Sequence, residues 1–203
     1  MTTPEIIGIA ASLSLLAGWR LYAAVLAAGL AVRFGGFGLP GELVGLAVLG
    51  NWWVLGVAAA GALAEFLADK VAIVDSLWDA VHSLVRPIGG ALLAFAVVSP
   101  GDPVLGIVAL LLGGGAALAA HSAKAGSRAV INTSPEPVSN IVASVAEDGV
   151  TAAGLWLVFA HPQWAAALAV VLGVIVAALL WLALRVLGSL RRRWRGESKP
   201  RRR

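Results

Sequence analysis

Apolar residues run along this chain in blocks too long and too continuous for a soluble fold, and the polar residues sit in a few tight groups between or inside them. Residues 5–34 are almost unbroken Ile, Ala, Leu, Val and Gly, interrupted at Trp19-Arg20. A helix of that length reaches about 45 Å, more than the roughly 30 Å of a bilayer's hydrocarbon, so the segment is tilted, broken near Gly18 or protruding. A Gly-rich connection, 35–50, leads to Trp52-Trp53, placed where an aromatic belt belongs. Apolar helices follow at about 52–68, 75–98, 104–125, 139–160 and 165–190. The breaks between them are a short turn at 69–74, Ser99-Pro100-Gly101-Asp102-Pro103, a polar loop at 126–138 and the His161–Trp164 turn. Ser139 or Asn140 caps the helix that starts there. Gly113-Gly114-Gly115 would weaken a helix in water but permits close helix approach in lipid, and offers a contact for a homodimer. The pattern predicts an all-α membrane protein: one polytopic bundle of about six transmembrane helices in residues 1–190, then a disordered basic tail, 191–203.

Composition agrees. The chain is 60% hydrophobic and 13% charged, with mean hydropathy +0.90; soluble domains are nearer half apolar and a quarter charged. The alternating runs of about ten residues that mark a membrane barrel are absent. Without cysteine there are no disulfides or thiolate metal sites. The start lacks a basic region ahead of its apolar run and reads as a first membrane helix rather than a cleaved signal. The tail holds eight Lys or Arg and one acid, so it dominates the net charge of +4. It fixes the C-terminus in the cytoplasm by the positive-inside rule and touches anionic lipid; nucleic acid is not a partner. Six spans then place the N-terminus inside, with Lys70 and Lys124–Arg128 inside and Pro100–Pro103 and His161 outside; Arg33 falls on the wrong side.

The stretch Glu65 to Pro87 breaks the apolar pattern most strongly. Asp75, Asp79, His82 and Arg86 recur at spacings that put them on one helix face, and Pro87 follows Arg86 at mid-helix. Charge beside a helix-disrupting residue, deep in the membrane, is the pattern of a polar pocket. A shift of 61 residues lays this helix on residues 136–152, matching Asp79 to Asn140, Ser83 to Ser144 and Arg86 to Glu147. A shift of 55 sets Asp69 opposite Lys124. An internal repeat of two parallel helical hairpins is one reading, with Arg86 paired to Glu147 or Asp148 near the midplane and Arg20 as a third charge.

Each candidate has a plainer alternative. Arg20, Arg86, Glu147 and Asp148, with His82, form either a substrate or ion pathway or a structural ion pair between helices. Glu65, Asp69, Asp75, Asp79, His121, Lys124, Arg128 and Asn140 form a cation-binding inner mouth, or a solvated turn with Lys124 snorkelling to the interface. His82 is a proton relay or a satisfied core histidine. Trp19, Trp52, Trp53, Trp156 and Trp164 are belt residues, whereas Trp78 and Tyr22 line the pocket. Residues 129–140 are a connector, or a lid over the mouth. No P-loop, HExxH, GxSxG or cysteine pair occurs, so no catalytic, metal or cofactor site is expected.

Three segments carry a family resemblance: AGWRLYAAVLA, EFLADKVAIVDSLWDAVHSLVRPIGGAL and AAHSAKAGSRAVINTSPEPVSNIVASVAEDG. Their most specific parts are E-x3-D-K-x4-D, R-P-x-G-G-A, H-x2-K-x3-R and P-x-S-N followed by E-D. Over about residues 5–160 the chain resembles the bacterial membrane family catalogued as domain of unknown function 4126. The resemblance implies a multi-pass protein of the bacterial inner membrane and no particular activity. The functional expectation is a small transporter or channel for an ion, proton or small solute. The rival is a non-transporting scaffold, assembly factor or lipid-interacting protein.

Overall fold

The computed structural model describes residues 1–35, 41–98, 102–132 and 137–197. Residues 36–40 of the predicted Gly-rich connection, 99–101 of the predicted turn at 99–103, the loop residues 133–136 and the tail end 198–203 lie outside the described residues. Seven α-helices occur among those described: α1 (Thr3–Trp19), α2 (Leu21–Phe34), α3 (Trp52–Ala68), α4 (Ala72–Val98), α5 (Pro103–Ile131), α6 (Pro137–Ala160) and α7 (Ala165–Glu197). A 3-10 segment, Gly41–Gly50, precedes α3, and a single 3-10 turn, Pro162–Trp164, precedes α7. Four helical spans are long and apolar enough to cross a membrane: Ile73–Val98, Pro103–Ile131, Val138–Ala160 and Pro162–Ser189. The first three helices are shorter and also apolar. This is a helical membrane protein.

The long first segment is two helices, and the chain reverses between them. Gly8 lies against Ala165 and Ala166, the first residues of α7 just beyond the α6 C-terminus, and Leu16 lies against Gly154 of α6. α1 therefore runs antiparallel to α6. α2 then returns alongside α6: Arg20 and Asp148 share one end of a cleft, and Phe34 and Phe159 the other. The break falls at Arg20 (φ −139°, ψ 77°), two residues beyond Gly18. Gly18 itself stays helical, pressed against Ala117 and Ala120. The bend leaves little backbone unpaired, because the Arg20 N–H donates to Leu16 O and its carbonyl accepts from Ala24 N. This reversal adds a helix to the expected count. It also puts Met1 at the opposite end of the bundle from the α7 C-terminus, since Gly126 near the end of α5 packs on Ala183.

α1 is the central helix. From Gly8 to Trp19 every residue but Ala11 is buried, as expected for a helix that is apolar all round. Trp19, expected in the interfacial belt, is inside it; Trp52, Trp53, Trp156 and Trp164 are exposed. Small residues let the neighbours close in. The Ser14 hydroxyl donates to Gly90 O on α4 at 3.0 Å, and Gly113 of α5 sits between Ala94, Ser14 and Gly90. Gly113 and Gly114 are thus used inside the chain, and Gly115 alone of the three has open space around it.

Helix ends follow local chemistry. Asn51 caps α3 by accepting from Trp53 N, and Asp102 caps α5 by accepting from Val104 N. Gly35 ends α2 in the left-handed conformation (φ 57°), a glycine preference. α5 continues to Ile131 through the stretch read as loop, and α6 starts at Pro137, so Ser139 and Asn140 lie in its first turn rather than cap it. α4 runs on through Pro87. α7 extends past the expected boundary at 190 to Glu197.

The packing makes a clean test. A Cβ on Gly113 would lie 2.5 Å from Ala94 Cβ and 2.8 Å from Ser14 Oγ. Gly113→Val is expected to cost about 1–3 kcal/mol by overpacking, while Gly115→Ala leaves stability unchanged or slightly raised. Thermal unfolding in detergent micelles reads both; equal effects would contradict the three-helix contact.

Candidate functional site

Among the described residues, polar side chains converge where the α1–α2 bend, the α3–α4 turn and the facing stretches of α4, α5 and α6 meet. They include all thirteen candidates read from the sequence, joined by Tyr22, Lys70 and Ser144. The helices deliver them by spacing. On α4, Asp75, Asp79, His82 and Arg86 form a buried stripe; on α5, His121, Lys124 and Arg128 do; on α6, Asn140 and Ser144 are buried and Glu147 and Asp148 half-buried beside them.

Asp69, in the α3–α4 turn, is the hub. It is fully buried, and its Oδ2 lies 2.7 Å from Lys124 Nζ, in contact with Arg20 Nη1 and 3.9 Å from Arg128 Nη2. Its carbonyl accepts from Asn140 Nδ2 at 3.1 Å. Arg20 reaches past it to α6, with Nη2 at 2.8 Å from Asp148, 3.8 Å from Glu147 and 3.3 Å from the Ser144 carbonyl. Arg128 grips Glu147 with two donors, at 3.2 and 2.9 Å, and donates to Asn140 Oδ1 at 2.6 Å. Such a forked pair is among the strongest a protein makes.

Arg86 forms the second knot. It is fully buried and donates to Glu65 at 2.7 Å, Asp79 at 2.8 Å and His121 Nδ1 at 2.8 Å. The expected pairing of Arg86 with Glu147 or Asp148 is therefore not formed. Those acids belong to Arg20 and Arg128, and Arg86 takes Glu65 from α3 instead. The physical reason is the chain reversal: it carries Arg20 to α6, so α6 needs no cation from α4. Lys124 joins the knots, 3.9 Å from Asp79 and 3.8 Å from Glu147. The separate midplane site and inner mouth of the sequence reading are one network.

The histidines are held by their neighbours. His82 Nδ1 lies 2.8 Å from the Trp78 carbonyl, which can only accept, so Nδ1 carries a proton and Nε2 accepts from the Tyr22 hydroxyl at 3.0 Å. Trp78 stacks on the His82 ring at 4.3 Å between centroids. His121 Nδ1 accepts from Arg86, so its proton sits on Nε2. Among the described residues no group of acids and histidines could hold a metal ion.

The network is closed at Arg86, Lys124 and Asp69 and opens toward Asp148 and Lys70, whose side chains are 28% and 27% exposed. Lys70 lies 3.7 Å from Asp148, donates to Ser144 and packs over the Phe66 ring. A cleft of about 520 Å³ between α2 and α6, walled by Ala27, Leu30 and Leu155, ends at Arg20 and Asp148. Ser144 escaped the sequence reading as a site residue, although it lies four residues from Asn140 and three from Glu147, on the same helix face.

The Arg86 knot can be tested by double-mutant cycle. Arg86→Met alone is expected to cost about 3–5 kcal/mol, because it strands buried acid. Combined with Glu65→Gln the loss falls short of additivity by about 1–3 kcal/mol, whereas with Glu147→Gln it is close to additive. Coupling to Glu147 rather than Glu65, measured by unfolding in detergent, would contradict this geometry.

No curated protein and no solved structure matches the chain. A family does match, over residues 7–187, a span that takes in the three motif segments and α7 as far as residue 187 and stops short of the basic tail. The chain belongs to the family described as Domain of unknown function (DUF4126).

Proposed function

We propose that the protein moves a proton or a small cation, alone or with a small solute, across a bacterial inner membrane through this buried network. One observation carries the reading. Among the described residues, five cationic side chains, Arg20, Lys70, Arg86, Lys124 and Arg128, face six acidic ones, Glu65, Asp69, Asp75, Asp79, Glu147 and Asp148. The histidines add no charge in the tautomers their bonds select. One net negative charge remains inside a membrane bundle, where uncompensated charge is costly and marks ion pathways. A single bound cation or proton would balance it.

In this reading the basic tail holds the C-terminus in the cytoplasm. The charged network then lies in the cytoplasmic half of the bundle, with Asp148 and Lys70 at its entrance, and the bend at Arg20 places the N-terminus outside. The α3–α4 and α5–α6 hairpins run the same way, and Asp69 of the first pairs with Lys124 of the second, in keeping with a parallel two-hairpin repeat. The scaffold reading keeps one specific support: Arg86 is fully buried and matched by Glu65 and Asp79, as a helix clamp would be.

Purified protein in liposomes carrying an internal pH dye tests the proposal. Wild type is expected to dissipate an imposed proton or sodium gradient, and Glu147→Gln to slow it at least tenfold. Wild type no faster than empty liposomes across proton, sodium and potassium would leave the scaffold reading standing.

A further inference from the structure

Asp75 is the one acid of the network that none of the described cations holds in an ion pair. It sits in the first turn of α4, fully buried, and neither carboxyl oxygen has a donor. Its neighbour Asp69 spends Oδ2 on Lys124 and Arg20 and leaves Oδ1 without a donor. Three buried carboxyl oxygens on adjacent side chains thus lack a hydrogen. An ionised carboxylate buried without a partner carries a penalty of several kcal/mol or more, and such groups neutralise instead. The start of α4 favours negative charge, but by about 1 kcal/mol or less at most helix ends, too little to offset that penalty.

We propose that Asp75 carries an exchangeable proton, shared with Asp69, and is the seat of the single cation that balances the network. The neutral Asp75 hydroxyl donates to Asp69, so one hydrogen serves both side chains. On release the proton passes to water and Asp75 becomes a carboxylate; on uptake it is restored. The groups facing Asp75 are Asp69 from the turn, Asp79 from its own helix, and Lys124 and Arg128 from α5. Arg128 is tied in turn to Glu147 and Asn140 of α6. Two acids raise the cost of a third charge, and both cations are already engaged. The inference rests on the transport reading only for what the proton does after it binds.

Infrared spectroscopy of the purified protein in lipid tests it. At neutral pH wild type is expected to show the C=O stretch of a protonated carboxylic acid, shifted by deuterium exchange and lost at high pH. Asp75→Asn, which copies the neutral acid in shape, should remove that band and keep the wild-type melting temperature. Asp69→Asn should lower the melting temperature by several degrees, because Lys124 and Arg20 lose their partner. Absence of the band, its survival in Asp75→Asn, or an Asp75→Asn protein as unstable as Asp69→Asn would overturn the proposal. Liposome flux separates the two readings. A band without flux leaves Asp75 protonated and removes transport; flux without the band does the reverse.

Discussion

Asp69 holds the charged core together, and the rest of the architecture is arranged around satisfying it. Its carboxylate gathers a cation from the α1–α2 bend and another from α5, while its carbonyl takes an amide from α6. Each of these cations, left unpaired in hydrocarbon, would cost up to roughly 2.5–3.5 kcal/mol on insertion scales. A carboxylate in the α3–α4 turn can offset that cost only if all these elements arrive at one point. Convergence is therefore a condition for inserting this sequence into lipid, and the fold supplies it.

Two features make convergence possible. The first is the bend at Arg20. An unbroken helix over residues 5–34 would carry the guanidinium past the cluster or leave it on the helix flank. Reversal puts it at the tip of a V, where it reaches both Asp69 and Asp148. The second is the small-residue packing of α1. With Ser14, Gly18, Gly90 and Gly113 at the contacts, α1, α4 and α5 approach closely enough for side chains as long as Arg86 and Lys124 to be buried entirely. Bulky residues there would hold the helices apart and admit water to the ion pairs.

The membrane class, the helix positions after residue 50 and the membership of the polar cluster were legible in the sequence. Charge inside apolar runs is expensive, so its placement is informative. Helical spacing brought Asp75 to Arg86 together as a stripe, and the same logic applied to α6 would have added Ser144. Pairing was not legible. Arg86 had Glu65, Asp79, Glu147 and Asp148 within plausible reach, and the choice depends on the reversal at Arg20. That reversal has no proline and no glycine run to announce it; Gly18 was the natural suspect and remains helical. The length excess of residues 5–34 did signal that something had to give. The loop expected at 126–131 stays helical because Arg128 must face inward to meet Glu147, and that pairing outweighs the local preference of Gly126-Ser127.

Stability alone does not account for such a core. Replacing buried ion networks with well-packed apolar residues is often neutral or stabilising, and a chain so rich in Leu, Val and Ala has apolar alternatives at hand. A purely structural clamp would also be expected to close its charges evenly. This one does not: Arg86 and Arg128 are each matched by several acceptors, while neither carboxyl oxygen of buried Asp75 has a donor. Nor is it sealed throughout, since Asp148 and Lys70 stay partly exposed at one edge. The network is thus uneven, closed over an unmatched acid and open at one side, while α1 and its glycines fasten α4 and α5 directly.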